Sequence, residues 1–182
     1  MAHHNLDQLV ETLRTAAASS DRSTEIRAVL RESLRHSEVT ANAIAAISED
    51  ELLLHEDEFC SIWSCRYDSH TVLAPHEHRM PVHIAVYRGT ELEVLYKREA
   101  EGLRHGGNKP VSAGELVSLG ADAIHAVSAE GAEQSHAIHV YEGPLTKVER
   151  SLFDWTTGDK VEFTMANFHA MARRKTDMPE FG

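Results

Sequence analysis

The first fifty residues carry apolar side chains at helical spacing. Leu6, Leu9, Val10 and Leu13 recur three and four apart, on one helix face. Ile26, Val29, Leu30 and Leu34 repeat the pattern in a second segment, with Asp21 or Ser23 as its candidate cap. Ala41, Ile44, Ala45 and Ile47 predict a third, shorter helix over residues 38–48. No Gly or Pro interrupts this stretch, and the first proline is Pro75.

After Asp50 the texture changes. Segments become short and rich in Val, Ile, Tyr and Trp, with Gly, Asn, Asp and Pro between them. The expected strands are 51–56, 59–67, 71–78, 82–88, 91–98, 115–119, 124–128, 136–142, 151–155 and 160–165. Breaks are expected at Asp68-Ser69, Arg88-Gly89-Thr90, Gly106-Gly107-Asn108, Gly120-Ala121-Asp122, Glu130-Gly131 and Thr157-Gly158-Asp159. Many short strands at this spacing predict a sandwich or a barrel. Residues 166–182, with the basic run Arg173-Arg174-Lys175, are expected to be a solvated tail.

Charge narrows the function classes. The chain of 182 residues has 18 Lys and Arg against 29 Asp and Glu, a net charge of −11. That balance lacks the basic footprint that holds phosphate backbones, so no nucleic-acid partner is expected. No apolar run is long enough for a membrane span, so no membrane partner is expected either. The opening MAHHNLDQLVETLRT has no basic stretch followed by an apolar block, and the closing MPEFG has no lipidation motif. A soluble, cytoplasmic protein is the expectation. Cys60 and Cys65 stand five apart, which fits neither a CxxC pair nor a zinc set, and both are read as reduced thiols.

Histidine is the unusual residue, with 13 in all. His3 and His4 lie at a start expected to be disordered, whereas others concentrate between His70 and His139. His76 and His78 are two apart, so on a strand both rings point the same way. Two imidazoles on one face suit a borderline divalent metal. Farther on, Gly114-Glu115-Leu116-Val117-Ser118-Leu119-Gly120-Ala121-Asp122-Ala123-Ile124-His125 has the rhythm of a strand, a tight turn and a strand carrying one histidine.

HxH, a strand, Gly89, and then Gly-x5-Gly-x4-His resemble the two metal motifs of the cupin superfamily. The resemblance implies a mainly β fold, a double-stranded β-helix or jelly-roll barrel preceded by α-helices. It implies one domain, with residues 1–50 packing on a barrel of residues 51–165 and 166–182 as the tail. His76, His78 and His125 match the three histidine ligands. The usual glutamate ligand is missing, and His83 stands in its place. Three histidines without a carboxylate resemble the thiol dioxygenases, the family of cysteine dioxygenase. Pro75-His76-Glu77-His78, Val82 to Gly89 and Ala137 to Leu145 are similar to its bacterial members.

That family carries Ser, His and Tyr at alternate positions of one strand beside its iron. They match Ala137, His139 and Tyr141, so His139 and Tyr141 are the implied catalytic pair and the serine is absent. His83 occupies the position of the mammalian cysteine that crosslinks to tyrosine. His83, Ala85 and Tyr87 share one strand face and Val82, Ile84 and Val86 the other. His83 is thus open to three roles: a fourth ligand, a group behind the ligands, or neither. The family's early arginine for the substrate carboxylate is missing from 51–56. Arg66 and Arg79 are the nearest candidates, and each is read as a surface salt bridge.

The function implied is Fe(II)-dependent addition of O2 to a small metal-bound thiol, giving a sulfinate. Zn, Ni and Cu also suit imidazole. The partners are a small-molecule substrate and O2, with a homodimer as a further expectation. Two alternatives stand beside it. One is a three-histidine dioxygenase of diketones or hydroxy-ketones, which an apolar pocket without a cation would favour. The other is a non-catalytic metal- or small-molecule-binding cupin, which four imidazoles around one metal would favour.

Overall fold

The computed structural model describes residues 2–178, with side chains from Leu6 onward. Three helices come first: α1 (Ala2–Ala17), α2 (Arg22–Leu34) and α3 (Ser37–Ala45). The start expected to be disordered is thus helical from Ala2, although the side chains of His3 and His4 lie outside the described set. Neither candidate cap of α2 bonds through its side chain to the helix end. Ser23 instead donates to Glu142 on the barrel.

The body comprises β1 (Glu51–Glu56), β2 (Ser61–Tyr67), β3 (Thr71–Glu77), β4 (Val82–Arg88), β5 (Thr90–Glu99), β6 (Gly102–Ser112), β7 (Leu116–Leu119), β8 (Ile124–Glu130), β9 (Ser135–Tyr141), β10 (Ser151–Phe153) and β11 (Lys160–Glu162). A short helix α4 (Met165–Ala170) and a two-residue strand β12 (Arg173–Arg174) follow. One sheet has the order β1-β2-β9-β4-β7, and the other β11-β10-β3-β8-β5-β6, with β12 also on β3. From β2 to β5 and again from β7 to β10, each strand lies in the opposite sheet from its predecessor. That alternation, with antiparallel pairing throughout, makes a double-stranded β-helix. The turn into β5 requires Gly89: its φ is +66°, and a Cβ there would stand 2.7 Å from the Gln134 carbonyl oxygen.

Each sheet has two covered faces, which decides where polar residues can go. Outside the five-stranded sheet, Ile62, Ala85, Tyr87, Ile138 and Val140 pack under Leu13, Ile26, Leu30 and Ile44 of the helices. Inside it, Val82, Ile84, Val86, Val117, Leu119 and Ala137 form an apolar half of the barrel. Outside the seven-stranded sheet, Val72, Leu92, Val94 and Ile124 pack with Phe153 and Met178.

Two expectations are corrected. Gly106-Gly107-Asn108 is no break, because β6 runs through it along β5, and the pairing is kept by a shift between Leu95 and Tyr96. Nor is residues 166–178 a solvated tail: Phe168 of α4 is buried over the barrel mouth, and Met178 is buried against the outer sheet face. The basic pair Arg173-Arg174 is exposed but pairs with Val72 and Thr71. Residues 179–182 of that expected tail lie outside the described set. Among the described residues no helix is long and apolar enough to cross a membrane.

Candidate metal centre

β3 and β8 run side by side with His76 directly opposite His125. Directly opposed residues share a face, and His78 falls two places beyond His76 on that same face. The three rings therefore converge inside the barrel. Their centroids are 4.3 Å (His76–His125), 4.8 Å (His76–His78) and 4.9 Å (His78–His125) apart. All three are buried, and each offers a nitrogen within 4.8 Å of the other two.

The hydrogen bonds behind the rings settle which nitrogens are available. His76 Nδ1 donates to the Ala74 carbonyl at 2.8 Å. His125 Nδ1 donates to Glu93, a wholly buried carboxylate on β5. With hydrogen held on Nδ1, Nε2 of both rings keeps its lone pair for the interior. The Nε2 atoms of His125 and His78 face each other at 3.3 Å. Burial, aided by the other histidines, pushes His76 and His78 well below the ordinary histidine range, so both are neutral at pH 7. Convergent imidazoles, backed by a carbonyl and a carboxylate, fit a divalent transition ion.

Above the rings is a cavity of about 30 Å³, room for about two waters. His76, His78 and Tyr141 line it, as do Glu51, Cys65 and Arg150. Phe168 also lines it, edge-on to His76 at 4.9 Å. The opposite sheet delivers His139 and Tyr141, which face inward beside Ile84 and Val82. His139 Nδ1 lies 3.4 Å from the Tyr141 hydroxyl, and the Tyr141 ring stands against His78 with centroids 4.8 Å apart.

His83 lies elsewhere. Its strand neighbours Val82 and Ile84 face the barrel, so His83 faces the helices. Nδ1 bonds Ser118 Oγ at 2.7 Å and Nε2 bonds Glu142 Oε1 at 2.8 Å. Both nitrogens are used, which corrects the expectations of a fourth ligand and of a group behind the ligands. Arg79 is an exposed residue paired with Glu77 at 3.1 Å, whereas Arg66 pairs with Asp50 at 3.0 Å but keeps its side chain only 12% exposed. Glu77 sits outside the barrel, as alternation implies.

The cation that reaches the cavity is Arg150, which no motif marks. It precedes β10, and its guanidinium lies over Phe163, 3.2 Å from the ring centroid. Burial lowers it to about 10, so it remains charged at neutral pH. Also unforeseen are Glu91 and Glu93, both fully buried inside the barrel. The free thiol of Cys65 faces the cavity, while that of Cys60 is buried under the helices, where burial raises it to about 12.

A second cluster, His55, Asp57 and Cys60, sits at the β1–β2 turn. Its donors are already occupied: His55 Nε2 meets Asp57 Oδ2 at 2.9 Å, and Asp57 Oδ1 accepts from the Phe59 and Cys60 amides.

No family model matches the sequence, and no curated protein matches it. Among solved structures, the chain is similar to a conserved protein with a double-stranded beta-helix domain from Klebsiella pneumoniae subsp. pneumoniae. That match has 13% identity and a TM-score of 0.46, and covers 58% of this chain and 81% of that one. It is also similar to a cupin superfamily protein from Desulfitobacterium hafniense, at 11% identity and TM-score 0.44, covering 57% and 86%. An RmlC-like cupin family protein from Methanocaldococcus jannaschii follows at 13% identity and TM-score 0.44, covering 53% and 82%. Identities at this level carry no activity from those proteins to this chain.

Proposed function

We propose that this cupin is an Fe(II)-dependent oxygenase that converts a small, carboxylate-bearing thiol to its sulfinate in the cytosol. The observation that carries the reading is the shared cavity: two neutral buried imidazoles, His76 and His78, a tyrosine and a buried arginine border the same small space, and the His125 ring packs against both histidines. His76, His78 and His125 would hold the ion. When bound, ferrous iron would gather a thiolate and O2 in one coordination sphere.

The chain's own groups supply the rest. Arg150 offers a planar fork of donors to a carboxylate. Tyr141 offers a hydroxyl hydrogen, and burial pushes its own ionisation far above neutrality, so it acts as a donor. Phe168 and Phe163 exclude bulk water from the mouth. The reaction balances without an external reductant: sulfur loses four electrons, O2 gains four, and both oxygen atoms enter the product as the thiol proton leaves.

A cation at the cavity weakens the diketone or hydroxy-ketone alternative, which called for an apolar pocket without one. The small volume supports a second reading, a metal-binding cupin without catalysis, because about 30 Å³ leaves little room for a substrate beside the rings. The test is O2 uptake by iron-loaded protein with thiols matched in length, with and without a carboxylate. The oxygenase reading predicts one sulfinate formed per O2 consumed and preference for the carboxylates. Arg150→Gln should lower kcat/KM for the acid by about ten- to a hundredfold, equivalent to about 1.5–3 kcal/mol. Full metal loading with no O2 uptake from any thiol would favour the second reading.

A further inference from the structure

Glu91, Glu93 and Leu95 of β5 stand opposite Ala129, Val127 and His125 of β8, and their side chains enter the barrel. Glu91 is 0% exposed. Its Oε1 lies 2.9 Å from Nε2 of His139, so the contact spans the interior from one sheet to the other. His139 presents its remaining nitrogen to Tyr141. Ala137, one place back on the same strand face, has no polar side-chain atom to offer the ring. Glu91 also meets Glu93, the partner of His125. A carboxylate in a barrel core is costly unless paired, and an apolar side chain would pack there at no such cost. Stability therefore gives no account of Glu91.

We propose, resting on the oxygenase reading above, that Glu91 is a positioning residue whose carboxylate keeps His139 as the imidazolium. The ring then donates Nδ1–H to the Tyr141 oxygen, which leaves the phenol's own hydrogen free to point into the cavity. A neutral ring with its hydrogen on Nε2 would do the opposite. Its bare Nδ1 would accept the Tyr141 hydrogen and turn it from the substrate. Charge on Glu91 thus decides whether Tyr141 serves the cavity as a donor.

The titratable groups that act on His139 are Glu91 and Glu93 from β5, Cys65 and Tyr67 from β2, Glu51 from β1, Tyr141 from its own strand, and His76 and His78 from the other side of the barrel. Burial opposes charge on the ring, but Cys65 and Glu91 outweigh it and hold His139 well above the ordinary range. Burial also pushes Glu91 up, to about 7. The two rises compete for the shared proton; the ring, 2.9 Å from Glu91 Oε1 and within reach of Tyr141 on its other side, is where we place it.

Imidazole 15N NMR on the full-length protein, metal-free and zinc-loaded, tests this without reference to turnover. The His139 signals are assigned by their loss in His139→Gln. At pH 7 both ring nitrogens should carry hydrogen in the wild type, and one only in Glu91→Gln. In the iron-loaded protein, Glu91→Gln should lower kcat on the order of a hundredfold with KM little changed, as should Tyr141→Phe. The double variant should be no slower than either single one. A neutral His139 in the wild type overturns the proposal, even where Glu91→Gln fails to fold. So does a doubly protonated ring in Glu91→Gln, or additive losses in the double variant. Absence of thiol oxidation by the wild type would instead overturn the oxygenase reading, and the 15N spectra would still decide the Glu91–His139 contact.

Discussion

His83 and His125 are both buried and both bond a glutamate, yet only one of them can also bind a metal. His83 gives Nε2 to Glu142 and Nδ1 to Ser118. Nothing is left for a ligand, and the cluster instead joins the barrel to the start of α2 through Ser23. His125 gives Nδ1 alone to Glu93, and its Nε2 faces His78 across 3.3 Å. Residue type and burial are nearly the same, at 2% and 1% exposure. The difference lies in which ring nitrogen remains and whether other lone pairs meet it. A histidine's chemistry here follows from its partners, not from its abundance in the sequence.

The sharpest way to break that comparison is to delete each ring. His125→Ala should weaken metal binding by well over a hundredfold, since one of three protein ligands is gone, whereas His83→Ala should keep full stoichiometry. Metal content after dialysis against a weak chelator decides it. If His83→Ala empties the site, the assignment of roles is wrong.

The carboxylates come next. Glu93→Gln should weaken metal binding by about ten- to a hundredfold, because the partner that orients and polarises a ligating histidine is altered. Glu142→Gln should leave affinity unchanged. Competition with a fluorescent zinc chelator would measure both; equal losses would erase the distinction.

Stability should show the reverse order. His83→Ala removes the buried bonds to Glu142 and Ser118, leaving Ser23 as the Glu142 partner, and should cost about 2 kcal/mol, or roughly 4–8 °C in the thermal midpoint of the metal-free protein. The smallest effect is on pH dependence. Burial holds His83 below its ordinary value, despite the Glu142 bond that opposes it. A lowered folded value means that unfolding takes up a proton on acidification. The contribution is therefore intact above about pH 6.5 and is lost as the pH falls below it. Removing His83 should flatten the acid limb of stability by at most one proton, about 1.4 kcal/mol per pH unit. His76 and His78, lowered in the same direction, keep the rest of that limb in place.

Much of this was legible from local pattern. The change from helix to strand at residue 51, the shared face of His76 and His78, and the pairing of His139 with Tyr141 all follow from spacing. What spacing leaves open is which face of a strand is inside. Glu91-Leu92-Glu93-Val94 alternates cleanly, and exposed glutamates would be the ordinary expectation. The opposite occurs because Phe153 and Met178 cover the other face, where Leu92 and Val94 pack. That cover comes from about sixty residues away and farther, so no local window contains it. The same holds for His83, whose orientation is set by the helices over Ala85 and Tyr87. Arg150 reaches the cavity from an irregular segment with no periodicity, and its only local signal is a basic residue just before a short strand.

The central claim is that His76, His78 and His125 alone supply this chain's ligands to one ion. X-ray absorption at the metal edge of zinc-loaded protein tests it most directly. The account predicts one metal with three imidazole scatterers and no sulfur, unchanged in His83→Ala. A sulfur scatterer, a fourth imidazole lost on removing His83, or an unaltered spectrum in His125→Ala would contradict it.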